Sequence, residues 1–392
     1  MSLVRAQQAV PAFLQGDMCS KCGKLSTKCL ILNEYPPDCG AGCRWFEPNR
    51  RYHSSTPACS FGATVNAEPG LTSETLLSAH ARYAAHAAAA CGYGFRSLDG
   101  ADSYLFEVRD GARRALFAAG QGSPYALNDA NAASLARDKS FCAEALRAAN
   151  LPALPGRLFF VTKRWSEMRS PGREPEDARA FAVSADYPIF CKPISGSNGL
   201  HAEVVDDAGA FDDYMQRVAR EHFAILVQPY VRGEEHRVFV LNGRALFAYR
   251  KHQPSVVGDG RSTLDELIVN AEILGKRRAR DEAGGLVMLD TIPARGVRIS
   301  LEGPANRSAG GGSANLVDGA PTPLAQLAIN AADALGLKLA GVDIFDVSAA
   351  RDFAELVIIE VNSNPMIATL EDHNRWDLIE TVWRANFAAA LR

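Results

Sequence analysis

The sequence predicts an α+β fold, and three observations support this. Two apolar, β-branched runs near the C-terminus, LAGVDIFDV and LVIIEVNSNP, have the composition of strands and flank a polar break. A second pair of runs, in VFVLNGRALFAYR, meets at Asn242–Gly243, a dipeptide typical of a tight hairpin turn. The segment DAGAFDDYMQRVAREH has the apolar spacing of an amphipathic helix. Helices and antiparallel hairpins therefore share this chain.

Size and charge exclude several classes of protein. At 392 residues the chain is long enough for two or three domains with a sizeable core. A content of 22% charged residues with a net charge of -3 argues against a general nucleic-acid-binding protein, which needs a basic surplus. No apolar run approaches the length of a membrane span, and the N-terminus lacks a secretory hydrophobic core. We therefore expect a cytoplasmic protein that binds neither nucleic acid nor membrane.

Three regions follow one another along the chain. Residues 1–65 form a Cys-rich extension, residues 66–135 a small α/β domain, and residues 136–392 a larger α+β domain. In the small domain the Ala-rich stretch from Leu71 to Cys91 predicts a helix, and SYLFEVRDGARRALFAAG predicts two strands around a glycine turn.

In the larger domain, Asp138 is the expected start of a helix. The apolar face expected for it comprises Phe141, Ala145, Leu146 and Ala149. Next come strands in YPIFCKPI, GLHAEVV and AILVQPYV, a helix from about Ser262, a glycine-rich loop at 310–312 and a helix from Pro323 to Leu335.

Cysteine is concentrated near the N-terminus. The pairs Cys19-x-x-Cys22 and Cys39-x-x-x-Cys43 have a spacing compatible with zinc ligands. Such a zinc ion would organise a segment too small to build its own core. The alternative is a loop-rich extension with free thiols, because the second pair lacks the commoner two-residue spacing.

The C-terminal hairpin carries candidate metal ligands. Antiparallel pairing about a turn at Arg351 and Asp352 sets Asp343 opposite Glu360. Because side chains alternate along a strand, Glu360 and Asn362 share one face, whereas Ile359 and Val361 should point into the core. Oxygen donors without His or Cys suit Mg²⁺. The alternative is a solvated sheet face with two acidic residues.

A glycine loop follows one of the predicted strands. Its residues are Ser195, Gly196, Ser197, Asn198 and Gly199. Backbone N–H groups in such a loop can hold phosphates, although an ordinary hairpin also carries Gly and Asn. Lys192 ends the strand before the loop, and Lys139 begins an earlier helix, so two cations are available to a polyphosphate.

The strand AILVQPYV leads into RGEEHRVFV. Glu235 could accept hydrogen bonds from ribose hydroxyls, and the backbone from Gln228 to Val231 could contact an adenine edge. Taken alone, Glu235 is equally compatible with an ordinary surface charge.

The order of these features resembles the ATP-grasp superfamily of carboxylate–amine ligases over about residues 124–387. The strings VVGDGRSTLDELI, LDTIPARGVRISLEGPANRSAGGGSANLVDG and LGLKLAGVDIFDV are most similar to the ATP-grasp part of cyanophycin synthetases and bifunctional glutathione synthetases. The resemblance implies an ATP-grasp fold in which two α+β subdomains clamp ATP, with a lid subdomain at about 157–231.

The resemblance also implies residue roles. Lys139 and Lys192 would hold ATP phosphates, with Ser195 to Gly199 as the phosphate lid. The adenine site would comprise Gln228, Tyr230 and Val231, and Glu235 would bind ribose. Asp343, Glu360 and Asn362 would bind Mg²⁺, with two ions expected. The residues facing the transferred phosphate or the substrate would be Arg237, Arg250, Asn306, Gly310 and Gly311. Many relatives have Glu at the position of Gln228, so adenine recognition would rest more on the backbone here.

The expected activity is ATP-dependent formation of an amide from a small carboxylic acid and an amine, through an acyl phosphate. His252 is the candidate base for the amine, although a surface histidine explains it equally well. The alternatives are an ATP-grasp phosphotransferase and a zinc-containing interaction protein with a degenerate nucleotide site. We expect a homo-oligomer, and we do not expect polymer synthesis by a two-site mechanism.

Overall fold

The computed structural model describes residues 76–392 except 121, 197–198, 274–277 and 306–310. The described residues belong to one compact unit that runs from Phe61 to Arg392. Within these ranges no helix is both long and apolar enough to cross a membrane. The four cysteines considered as zinc ligands, Cys19, Cys22, Cys39 and Cys43, lie outside the described residues, as do Ser197, Asn198, Asn306 and Gly310.

The α-helices and strands follow each other in an α+β order, as expected. The helices are α1 Ala79–Cys91, α2 Ala130–Arg137, α3 Lys139–Ala148, α4 Pro175–Val183, α5 Ala208–Val218, α6 Leu264–Asn270, α7 Thr322–Ala334, α8 Ala368–Asp372 and α9 Trp376–Ala390. The strands are β1 Gly94–Ser97, β2 Leu105–Asp110, β3 Arg113–Ala118, β4 Arg157–Phe160, β5 Ile189–Pro193, β6 Glu203–Val205, β7 Ala224–Pro229, β8 Glu234–Leu241, β9 Arg244–His252, β10 Ser255–Val257, β11 Arg278–Arg280, β12 Leu286–Val287, β13 Arg298–Glu302, β14 Gly312–Asp318, β15 Leu339–Asp346 and β16 Leu356–Asn362.

The first sheet, β1-β2-β3, packs against helices from both ends of the chain. The helix expected from Leu71 begins at Ala79 in the described part, and the strand–turn–strand pattern is confirmed by β2 and β3. Tyr83 of α1 and Phe106 of β2 share a core with Trp383 and Phe387 of α9. Residues 76–135 are thus stabilised by a helix more than two hundred residues away, and the domain boundaries at 65 and 135 stay predictions.

Helix α3 begins as expected but exposes a residue that the periodicity assigned to its core. The Asp138 carboxylate accepts hydrogen bonds from the backbone N–H groups of Ser140 and Phe141, which caps the helix. Phe141 is 57% exposed, so its assignment to the apolar face is wrong. The packed face carries the predicted Leu146 together with Cys142, because α3 contacts the sheet through β16 on that side, whereas Ala149, also assigned to this face, is exposed.

The second sheet has the order β4-β7-β5-β6 and lies within the region expected to form the lid. Helices α4 and α5 cover one face, with Phe159, Phe211 and Ile225 buried between sheet and helices. Strands β5 and β6 are joined by the glycine loop, as the sequence predicts. A smaller sheet, β10-β13-β11-β12, packs against α6 around Leu264 and Leu301.

The third sheet, β14-β9-β8-β15-β16, is antiparallel and carries most of the polar residues of interest. The expected turn between β8 and β9 is confirmed, with positive φ angles of 49° at Asn242 and 74° at Gly243. Helix α7 covers one face through Leu324 and Ala328, which pack on Val238 and Val342.

Candidate functional site

One face of the third sheet is apolar along half of its strands and polar along the other half. Phe239 on β8 and Phe247 on β9 are buried in the core that includes α9. Because side chains alternate along a strand, Arg237 and Glu235 project from the same face as Phe239, but beyond the end of that core. The polar half of this face is therefore the part of the sheet where a ligand could contact charged groups.

The pairing of the two carboxylates on the terminal hairpin is confirmed. Asp343 is directly opposite Glu360 in the β15–β16 register. A β-bulge between Asp343 and Ile344 produces this pairing, because Ile344 pairs with Ile358 and leaves Ile359 as an extra residue.

The same bulge overturns one expectation about the core. Ile359 is only partly buried, whereas Ile358 and Val361 are 1% and 2% exposed. In a regular strand the side chains of residues 358 and 361 would lie on opposite faces of the sheet. The extra residue of the bulge places both side chains on the face that packs in the core. The prediction for Val361 is confirmed and that for Ile359 is wrong.

The oxygen-bearing side chains of the hairpin converge. Asn362 Nδ2 lies 3.3 Å from Glu360 Oε1 and 3.5 Å from Asp343 Oδ2. Rotation of the Asn362 amide would present its oxygen at the same place, since the two ends of an amide are assigned from their hydrogen bonds. Two carboxylates and an amide oxygen form a donor set that fits Mg²⁺.

Asp343 is held by two cations as well. Arg237 donates to both carboxylate oxygens, with Nε at 2.7 Å from Oδ1 and Nη2 at 2.6 Å from Oδ2. Lys251 Nζ lies 2.9 Å from Oδ2 and also donates to Glu235. Each carboxylate oxygen has about two lone-pair positions, and among the described residues Oδ1 accepts one hydrogen bond, from Arg237 Nε, so it has room for one more contact.

Lys251 was not identified by sequence reasoning, which assigned Arg250 instead. A β-bulge between Phe239 and Val240 shifts the β8–β9 pairing by one residue, so that Arg250 opposes His236. Arg250 therefore lies on the opposite face from Asp343, where it pairs with Glu234 at 2.9 Å. Lys251 takes the inward position and is 8% exposed.

The two predicted phosphate-binding lysines approach the carboxylates from other elements. Lys139, at the start of α3, has its Nζ 3.9 Å from Glu360 Oε2 and donates to the backbone oxygen of Gly196 at 3.0 Å. Its backbone N–H donates to Ile194, which ties α3 to the end of β5. Lys192 is 5% exposed, and its charge acts on Glu360.

Four cations and three carboxylates meet here among the described residues. The cations are Arg237, Lys251, Lys139 and Lys192, and the carboxylates are Asp343, Glu235 and Glu360. The cationic excess makes the cluster suited to an anionic ligand such as a polyphosphate.

Burial and neighbouring charges shift the pKa values of the cluster's side chains in different directions. Burial opposes ionisation of Glu360, but the surrounding cations, beginning with Lys139 and Lys192, outweigh it and hold its pKa below the usual value. Burial lowers the pKa of Lys192, and the neighbouring Lys139 lowers it further. Burial raises the pKa of Glu235 despite the Lys251 ammonium beside it. The carboxylate of Glu360 is thus kept ionised, as a metal ligand must be.

The predicted adenine residues lie where β7 ends. Gln228 is 2% exposed and donates from Nε2 to the Leu154 oxygen at 3.3 Å. Its Oε1 is buried and has no hydrogen-bond partner among the described residues. An unpaired acceptor of this kind matches the exocyclic amine of adenine. Tyr230 forms a side-chain hydrogen bond with Glu302, and Val231 is partly exposed.

The remaining predicted residues are placed as follows. Glu235 lies within the charged cluster, where its carboxylate accepts from Lys251. This carboxylate therefore does not face solvent as a ribose ligand would. Gly311 lies close to the backbone of Ala305, and a Cβ added at Gly311 would be 2.1 Å from the Ala305 oxygen. Only glycine fits at this position. His252 is exposed at the end of β9. In the glycine loop, Gly199 has a φ of 71°.

No thiol in the described cluster is reactive. Cys142 is buried near Glu360, and burial raises the pKa of its thiol to about 11. A thiol with this pKa stays protonated at neutral pH and is a weak nucleophile. The arrangement can hold and neutralise anions, but it offers no thiolate for covalent catalysis.

Comparison with known proteins finds a matching family model and similar curated proteins. Residues 305–384 match the family model described as a RimK-like ATP-grasp domain. The glutathione biosynthesis bifunctional protein GshAB of Streptococcus mutans is 28% identical over 214 residues, which is 48% of this chain and 28% of that protein. The cyanophycin synthetase of Trichormus variabilis is 29% identical over 211 residues, which is 47% of this chain and 23% of that protein.

The matched region spans about a quarter of the length of these curated relatives. The crystal structure of a bifunctional glutathione synthetase from Pasteurella multocida aligns with a TM-score of 0.42 at 18% identity, covering 79% of this chain and 45% of that one. The sequence resemblance and the family match agree, and we conclude that residues 305–384 form part of a RimK-like ATP-grasp domain.

Proposed function

We propose that this protein is an ATP-dependent ligase that joins a carboxylic acid to an amine through an acyl phosphate. The observation that carries the proposal is the charged cluster, in which Lys139 and Lys192 face the carboxylates of Asp343 and Glu360 beside a glycine loop. The named activities of the relatives, glutathione biosynthesis and cyanophycin synthesis, support a ligase of this class.

Activation of the acid is the difficult step. A carboxylate oxygen attacks the γ-phosphorus of ATP, the bond to the bridging oxygen breaks, and ADP leaves. This transfer requires positioning and neutralisation of charge, which the lysines of the cluster supply. The buried, cationic surroundings also hold the reacting carboxylate and the phosphates away from bulk water.

Amide formation follows. The amine nitrogen attacks the acyl carbon, inorganic phosphate departs, and the nitrogen loses a proton. The protonated Cys142 thiol supports a mechanism without a thioester on the protein. His252 stays the candidate for accepting the proton.

The metal assignment is part of the proposal. Asp343, Glu360 and Asn362 would hold Mg²⁺, and the remaining acceptor position of Asp343 Oδ1 makes room for this contact. When bound, Mg²⁺ neutralises charge on the phosphates. Arg237 would fix the Asp343 carboxylate, because its Nε and Nη2 groups both donate to that carboxylate.

The substrates are small carboxylic acids and amines, such as amino acids or short peptides. The cytoplasmic location and the homo-oligomeric state stay predictions. A screen of amino acids and dipeptides in pairs, with phosphate release and product mass as readouts, would identify both substrates.

Hydroxylamine trapping tests the intermediate. Hydroxylamine is a small, strong nucleophile, so it should replace the amine and yield a hydroxamate of the acid together with ADP and phosphate. Glu360→Gln should form no hydroxamate, whereas Glu144→Gln, a change at an exposed position on α3, should react as the wild type does. A stable phosphate ester would identify a phosphotransferase instead, and AMP with pyrophosphate would refute the acyl-phosphate mechanism.

A further inference from the structure

A second cluster of metal-ligating side chains lies outside the charged site. His201, Glu221 and His222 each offer one ligand atom, and these atoms all lie within 4.8 Å of one another. His201 belongs to the segment between the glycine loop and β6, and the other two residues lie between α5 and β7. None of the three has a role in the proposed ligase chemistry.

The two imidazoles are held in place by their surroundings. The ring centroids of His201 and His222 are 5.6 Å apart with an interplanar angle of 81°. The Tyr214 hydroxyl donates to the His201 carbonyl oxygen at 2.8 Å. His201 also has a φ of 56°, a left-handed conformation that is uncommon for residues other than glycine.

One ring nitrogen of the cluster lacks a partner among the described residues. The Nε2 of His222 is buried and makes no hydrogen bond within the part of the chain that the structure describes. A buried, unpaired nitrogen is costly unless another group contacts it. His201 Nε2 lies 3.4 Å from Glu221 Oε2, too far for a strong hydrogen bond, so both histidines are available to a cation.

We propose that His201, Glu221 and His222 form a binding site for a borderline divalent cation such as Zn²⁺. Two imidazoles and one carboxylate are a common set of three protein ligands for this ion, with a fourth position left to water or an exogenous ligand. Mg²⁺ is disfavoured because it prefers oxygen donors.

An ion bound at this site would connect two segments of the chain. An ion bound there joins the segment after the glycine loop to the turn between α5 and β7. The ring of His222 also lies near the beginning of that loop, since a Cβ added to Gly196 would be 4.0 Å from His222 Cε1. Metal binding should therefore hold His201 and the adjoining segment in place, independently of any nucleotide.

Titration of the full chain with Co²⁺ as a spectroscopic probe tests the site. Millimolar Mg²⁺ keeps the oxygen-rich site occupied, and thiolate ligands in the Cys-rich region would reveal themselves by intense sulfur-to-cobalt charge-transfer absorption. The His201–Glu221–His222 site should contribute weak visible d–d bands without a matching charge-transfer component. Added Zn²⁺ should remove these bands by competition.

Two variants make the test specific. His201→Asn suits the left-handed backbone, and His222→Gln retains a polar side chain, so each should lose the nitrogen-type bands and bind Zn²⁺ at least about 10-fold more weakly. His86→Gln, at an exposed position on α1, should bind as the wild type does. The proposal is overturned if wild-type protein shows no such bands, or if they persist unchanged in both His201→Asn and His222→Gln.

Discussion

Lys192→Met should stabilise the unligated protein while removing its response to nucleotide. Lys192 is 5% exposed, and burial is the largest influence on its pKa, ahead of the attraction to Glu360. Burial lowers its pKa, which means that the attraction to Glu360 does not offset the loss of hydration. Methionine retains much of the side chain's volume without the charge.

The size of the effect follows from the energetics of buried charge. Each unit by which folding lowers a lysine pKa corresponds to about 1.4 kcal/mol of destabilisation at neutral pH. A buried polar group that its partners do not fully compensate costs about 1–3 kcal/mol, so removal of the Lys192 ammonium should raise the free energy of unfolding by ~1–3 kcal/mol. For a domain of this size the melting temperature should rise by ~2–6 °C.

The stability difference between Lys192→Met and the wild type should depend on pH. The folded-state pKa of Lys192 lies below the unfolded value of about 10.5. The destabilisation is therefore fully present below the folded-state pKa and disappears as the pH rises toward the unfolded value. The stability advantage of Lys192→Met should shrink across that interval, because wild-type Lys192 becomes neutral in both states.

Thermal melting with and without Mg-ATP measures both effects. A ligand at about 100 times its Kd stabilises the folded state by ~2.7 kcal/mol, and Lys192→Met should lose most of this gain. Lys338→Met, at an exposed position before β15, is the matched control and should respond as the wild type does. A lower melting temperature for unligated Lys192→Met at pH 7 would refute the desolvation argument, and an undiminished response to Mg-ATP would refute the nucleotide contact.

Further predictions concern the metal ligands and the Cys-rich region. Glu360→Ala should abolish turnover with the fold intact, and activity within a few-fold of wild type would remove Glu360 from the metal site. Val361→Ala should instead lower the free energy of unfolding by ~1–3 kcal/mol, as measured by urea denaturation, because Val361 is 2% exposed. Elemental analysis should find up to one more zinc ion per chain in the full-length protein than in a shortened protein beginning near residue 66, if Cys19, Cys22, Cys39 and Cys43 bind it. A shortened protein beginning near residue 66 should still bind ATP, and loss of binding would show that the extension contributes to the nucleotide site.

The sequence by itself determined the α+β class and most strand and helix positions. These features depend on local signals: apolar alternation, the Asn242–Gly243 turn, and the Asp138 helix cap, which a reader of the chain can recognise without knowledge of distant contacts. The resemblance carried by long motif strings supplied the fold family.

Tertiary structure decided which side chains share the site. Bulges in β8–β9 and β15–β16 shift the pairing by one residue, which places Lys251 rather than Arg250 beside Asp343 and buries Ile358 rather than Ile359. A one-residue shift reverses the face of a strand's side chains, and no local composition signal marks it. The approach of His201 to His222 likewise depends on how the segment after the glycine loop packs on the end of α5, because the two residues are distant in sequence and become neighbours only in the folded chain.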